Sequence, residues 1–240
     1  MGLRSVVAWL LIAVLVVVAF TQLLLPRALE SRVEQALRQR LTSVDYLTVD
    51  IRSRPALASL FGRFRKIHME ARDFVIDDLP VGAFLVEGSQ VRLDPRALYG
   101  DGEVKLENAA DLRVTVLLTE MGINQYMWGK IDPERRLRVS LSADGAALMG
   151  NINFFGHGID IYLRGVFQVR EQTQLIFVPE ALQVENLEVP QIILNALVED
   201  KALLMDLAGL PVPLAIDGVR LEQGQLYAFG HYAKVSGEGR

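Results

Sequence analysis

Residues 190–207, PQIILNALVEDKALLMDL, hold one leading proline and then no residue that breaks a helix. Ile193, Leu194, Leu197, Val198, Leu203 and Leu204 supply apolar side chains, mostly at spacings of one, three and four. That pattern predicts a helix over Gln191–Leu207. A helix of this length, set among strands, makes the fold α+β. Ile193, Leu197 and Leu204 are then the side chains expected to pack in the hollow of a sheet.

The next stretch, GLPVPLAID (209–217), is apolar up to Asp217 and holds two prolines. Proline lacks an N–H, so the segment belongs at a sheet edge. If it is extended, Leu210, Val212, Leu214 and Ile216 share one face, and Pro211, Pro213 and Ala215 take the other. An exposed apolar edge invites aggregation, so a helix or a lipid should cover it. An acyl chain gains about 0.8 kcal/mol for each CH₂ it buries there.

Upstream, the chain reads as short antiparallel strands. Leu47, Val49 and Ile51 alternate with polar residues, as do Ile67, Met69 and Ala71. LTEMGINQYMW shifts to a helical period, with Thr119 as N-cap and Ile123, Tyr126 and Met127 on one face. Asp144-Gly145 and Gln223-Gly224 mark hairpin turns. Several strands are apolar on both faces, notably Phe74-Val75-Ile76, Val116-Leu117-Leu118, Val166-Phe167 and Ile176-Phe177-Val178. A one-sided sheet should alternate. Either a second protein layer or a ligand covers the other face.

At the N-terminus, Val6–Leu25 is a run interrupted only by Thr21 and Gln22, with Trp9 inside it. It is long enough to cross a hydrocarbon core of about 30 Å. A cleaved secretory signal is the alternative, but such signals have shorter apolar regions. The expected organisation is a cytoplasmic start and transmembrane signal anchor over 1–25 and an amphipathic helix over 26–41. One domain over 42–231 and a tail over 232–240 complete it. Arg27, Arg32, Arg38 and Arg40 outnumber Arg4, which argues for a cytoplasmic domain, but long domains escape that rule.

The 240 residues are 51% hydrophobic, carry a net charge of −4 and contain no cysteine. Disulfides and thiolate chemistry are excluded, and nothing suggests nucleic acid as a partner. No nucleophile elbow, phosphate loop or zinc-binding motif occurs. Of the three histidines, His157 reads as a turn residue and His68 as exposed. Asp73, Asp77 and Asp78 read as a solvated loop, so neither metal nor cofactor is expected. The basic stretch with Arg63, Arg65, Lys66 and Arg72 suits lipid head groups or a membrane surface, because arginine forks pair with phosphate. A merely solvated strand face is the alternative.

RPALASLFGRFRKIHMEARDF, LTEMGINQYM, VPEALQVENLEVPQIILNALVED and LAGLPVPLAIDGVRLEQGQLYAFG together resemble the LmeA-type phospholipid-binding family. The resemblance spans roughly residues 28–231 and rests on packing and turn motifs rather than catalytic ones. It implies a tubular lipid-binding-like fold, in which a curved antiparallel sheet wraps a long helix. It further implies a membrane-anchored protein that binds phospholipid at the outer face of a bacterial membrane, and without a catalytic motif in the chain no enzyme activity is expected. In one lineage, members support elongation of envelope lipoglycans. A structural or scaffold protein of the envelope with a dry core is the alternative.

Overall fold

The structure is a computed structural model. It describes residues 44–52, 61–97, 105–154, 157–184, 187–189, 203–210, 212 and 214–232, together with Glu34 and Ala58. Among them, thirteen strands and one helix of more than a turn form. The strands are β1 (Tyr46–Arg52), β2 (Arg63–Ile76), β3 (Leu79–Leu93), β4 (Leu106–Asn108), β5 (Asp111–Thr119), β6 (Leu137–Ser142) and β7 (Gly145–Phe154). Then follow β8 (His157–Arg170), β9 (Gln174–Val184), β10 (Leu187–Val189), β11 (Leu204–Asp206), β12 (Leu214–Glu222) and β13 (Gln225–Tyr232). The helix, α1, is Glu120–Lys130.

Two sheets result. One has the order β1-β2-β3-β5-β13-β12, with β4 on β3; the other has the order β10-β9-β8-β7-β6, with β11 on β9. Short turns between consecutive strands force antiparallel pairing, as in β6–β7, β8–β9 and β12–β13. The turn Gln223-Gly224 falls where the sequence places it, whereas the hairpin marked by Asp144-Gly145 turns one residue earlier, at Ala143-Asp144, with Gly145 opening β7.

By contacts the chain divides into two compact units. One includes Leu47–Met69 and Val86–Leu112, the other Glu70–Leu85 and the chain from Arg113. The first is built on Leu47, Val49, Ile51, Phe64, Val86, Val91 and Leu93, all buried. In the second, Phe74 meets Phe84 edge-on at 6.4 Å, and Phe167 meets Phe177 at 5.6 Å. There β12 packs against β6 and β8.

The architecture expected from residues 190–207 is not the one observed. The described fold is mostly β with one short helix, and no long α-helix is wrapped by a sheet. The C-terminal end of the expected helix is strand β11, pairing Leu204 with Ile176, Met205 with Leu175 and Asp206 with Gln174. Leu203, Met205 and Leu207 are buried, while Leu204 and Asp206 are half-buried. That is the period of two that belongs to a strand. Ile193 and Leu197 lie outside the described residues, as do the amphipathic stretch (Glu34 excepted) and the proposed span from Val6 through Trp9 to Leu25. Among the described residues no helix is long and apolar enough to cross a membrane.

The one helix is placed by polar side chains. Thr119 caps it, its Oγ1 accepting from Gly122 N at 3.0 Å. β6 is the last strand of its sheet, so one row of its backbone groups needs partners. α1 supplies them from residues four apart, which share a helix face. Leu141 N donates to Glu120 Oε2 (2.9 Å) and Val139 N to Asn124 Oδ1 (2.7 Å). Asn124 Nδ2 donates to Val139 O (2.8 Å), and Trp128 Nε1 to Leu137 O (2.7 Å). Trp128 therefore serves the sheet edge, while Ile123 and Met127 are buried and Tyr126 donates to Leu204 O at 3.2 Å.

Candidate functional site

Gly62 fixes the start of β2. It holds φ +68°, and its carbonyl accepts from Leu93 N at 2.8 Å. Alternation then buries Phe64 and leaves Arg63 and Arg65 exposed. Across the sheet, Gln90 adopts φ +49° within β3; after it Val91 and Leu93 are buried and Arg92 is exposed. Arg92 pairs with Asn108 of β4. Arg63, Arg65 and Arg92, with Gln90 and Asn108, thus line one pocket of about 420 Å³, whose apolar lining includes Ala58, Ala109 and Ala110. No carboxylate is among these lining residues. Among the described residues, Arg65 and Arg92 have no ion pair.

The other two expected basic residues lie elsewhere on β2. Its buried positions run Phe64, then Met69 and Ala71, then Phe74 and Ile76, so the phase slips twice. The slips leave Arg65-Lys66 and Arg72-Asp73 as exposed neighbours, the second at Asp73 with φ +50°. Lys66 is exposed but does not line the pocket. Arg72 bonds Glu70 at 2.5 Å and stacks over Tyr46 at 5.7 Å. The structure therefore joins Arg63 and Arg65 to Arg92, which the sequence reading missed. Gln90 hides that partner, because a left-handed residue inside a strand shifts the alternation.

The expected apolar wall divides by burial. Leu210, Leu214 and Ile216 are buried, whereas Leu204 and Val212 are half-buried. Ala215 is buried as well, so β12 starts with both faces covered. It is the last strand of its sheet, as the prolines before it predict. Its neighbours are turns. Leu207 N donates to Thr173 O (2.9 Å) and Ile216 N to Gln172 O (2.7 Å). A Cβ on Gly209 would come within 2.8 Å of Ile76. The described residues Gly209 and Ile216 of GLPVPLAID thus lie among the β2–β3 and β8–β9 turns.

A second apolar surface remains partly open. Val166 pairs with Val178 across β8–β9, and Ile176 pairs with Leu204 across β9–β11. Paired residues share a face, as do Ile176 and Val178 two apart. All four are half-buried. Val166-Phe167 and Ile176-Phe177-Val178 therefore have one buried side, carrying Phe167 and Phe177, and one partly exposed side on which these four apolar residues sit, with exposed Gln168 opposite Ile176.

Groups suited to catalysis are scattered. Among the described residues no three of His, Asp or Glu cluster to hold a metal. His68 Nδ1 lies 3.6 Å from Glu87, and His231 Nδ1 lies 2.8 Å from Asp217, both exposed. Asp78 takes a hydrogen bond from Lys130 Nζ at 2.7 Å, which raises the lysine's pKa. Among the described residues, every buried side-chain polar atom has a partner.

A largely antiparallel β protein with a half-open apolar face and a separate arginine pocket has the parts of a lipid-binding module. The sequence model of the LmeA-like phospholipid-binding family matches residues 20–228, and the chain belongs to that family. Membership supports phospholipid as the class of ligand and binding as the role. It is also consistent with association with a membrane. No curated protein and no solved structure matches the chain.

Proposed function

We propose that this is a membrane-anchored phospholipid-binding protein that handles or senses lipid at the outer face of a bacterial membrane during envelope biogenesis. Val6–Leu25 is its uncleaved anchor, 26–41 an amphipathic connection, 42–231 the lipid-binding domain on the extracytoplasmic side, and 232–240 a tail. The observation that carries this reading is the half-buried apolar patch of Val166, Ile176, Val178 and Leu204 in a chain of a phospholipid-binding family. Leu204 and Val212 face the acyl chain, with Ile193 and Leu197 contributing from the segment before β11. Leu210, Leu214 and Ile216 form the packed base of that wall. Arg63, Arg65, Lys66 and Arg72 meet head groups or the membrane surface. Organic extraction of purified protein, followed by mass spectrometry, should recover phospholipid in near-stoichiometric amount.

A second reading, a non-enzymatic scaffold of the envelope with a dry core, draws support from the burial of Leu210, Leu214 and Ile216. Protein that extracts free of lipid would favour it and overturn the first.

A further inference from the structure

We infer that the pocket lined by Arg63, Arg65 and Arg92 binds the phosphate of an anionic phospholipid head group, with Phe61 entering the apolar layer beside it. This rests on the phospholipid-binding reading and adds a defined site, a further residue and a head-group preference. The shared chemistry is a phosphate ester of net negative charge. Three guanidiniums line one cavity, those of Arg65 and Arg92 without an ion pair among the described residues, and no carboxylate is among the described residues of its lining, so the site is positively charged. Arginine offers forked donors that match phosphate oxygens. The cavity's 420 Å³ lies in the range of small-ligand sites, about 300–1,000 Å³. Gln90 and Asn108 add uncharged amides suited to ester or glycerol oxygens.

Phe61 argues for a lipid rather than a soluble phosphate ester. It is 71% exposed, the most exposed large apolar residue described. Its N–H donates to the carbonyl of Ala58, which itself lines the pocket. Two residues further on comes Arg63. A solvent-facing phenyl ring, in the chain between two residues that line a cationic pocket, suits a ligand whose phosphate is joined to acyl chains. A zwitterionic head group carries its own cation toward the three arginines, so the site selects net-anionic lipids.

The test uses the full chain in an uncharged detergent, titrated calorimetrically with dihexanoyl phosphatidylglycerol, dihexanoyl phosphatidylcholine and glycerol 3-phosphate. Saturable binding of the phosphatidylglycerol is expected, about tenfold or more tighter than of the phosphatidylcholine. Arg65→Gln with Arg92→Gln should weaken phosphatidylglycerol binding at least about tenfold, in line with roughly fivefold per cation at an anionic lipid surface. Arg170→Gln, outside the pocket lining, should change nothing. Phe61→Ser should weaken binding of the lipid but leave glycerol 3-phosphate as in wild type. Both arginines are exposed, so thermal unfolding of the variants should match wild type; if the pair unfolds, Arg92→Gln alone must still weaken binding severalfold. Unchanged binding in the arginine variants, or equal binding of the two lipids, overturns the head-group site. If extraction still recovers phospholipid, the broader reading survives that result. Glycerol 3-phosphate binding as tightly as the lipid, with Phe61→Ser silent, would make the pocket a free phosphate-ester site and overturn the lipid assignment. Wild type that binds neither lipid and extracts lipid-free overturns both.

Discussion

Gly62 holds the arginine pocket together at the residue scale. A Cβ there would lie 2.0 Å from the carbonyl oxygen of Leu93, and φ is +68°. Neither problem yields to a side-chain rotation, so Gly62→Ala must move backbone. The expected loss is more than about 1 kcal/mol, the low end of the usual penalty for a strained left-handed residue, to which the backbone clash adds. Urea denaturation would measure it, and a stability equal to wild type would show that β2 does not depend on this close approach. Leu214 and Leu204 give a sharper contrast. Leu214 is 3% exposed at the buried start of β12, so Leu214→Asp places an unpaired carboxylate in a packed core and should abolish the folding transition of its unit. Leu204 is half-buried, so Leu204→Asp should leave most of the circular-dichroism melt intact while lipid co-purification falls several-fold. Equal effects of the two substitutions on folding, or lipid retained by Leu204→Asp, would remove Leu204 from the lipid-facing surface.

Individual elements were readable where one residue dictates geometry. Thr119 announced α1, and the turn pairs Asp144-Gly145 and Gln223-Gly224 announced their hairpins. The reading failed where both faces of a strand are apolar. In Leu203-Leu204-Met205-Asp206-Leu207 the buried residues alternate, yet Leu204 is apolar too because it sits beside Ile176 on the half-open face. That extra leucine erases the period of two, and dense leucines then imitate a helix. Phase slips did the same to the candidate site. Gln90 at φ +49° concealed Arg92, and the slip at Asp73 separated Arg72 from the other basic residues. The bond pattern of α1 was equally invisible, since nothing in the sequence says that Asn124 serves a strand. Asn124 is 2% exposed and both donates to and accepts from Val139. Asn124→Leu would strand two backbone groups at about 1–3 kcal/mol each, so a loss of about 3 kcal/mol is expected. Calorimetric unfolding would read it. A loss below about 1 kcal/mol would mean that water replaces the amide at the β6 edge.

The whole molecule carries a net charge of −4, yet no carboxylate is among the described residues that line its arginine pocket. Attraction to anionic lipid therefore depends on where the domain is held, since net charge alone would keep it away from an anionic surface. The proposed anchor would supply that placement by holding the domain close to one leaflet. Val6–Leu25 is long enough to do so, and the side on which the domain emerges decides which leaflet it can reach. Arg27, Arg32, Arg38 and Arg40 favour the cytoplasmic side by number, but that rule weakens when a long domain follows the span. The outer-face reading predicts that protease added to intact spheroplasts digests the domain, leaving a membrane-bound fragment that contains Val6–Leu25. The same protease, added after detergent, should digest the domain to a similar extent. A domain protected completely until detergent is added would place it in the cytoplasm. A domain released whole into the medium would show that the apolar run is a cleaved signal.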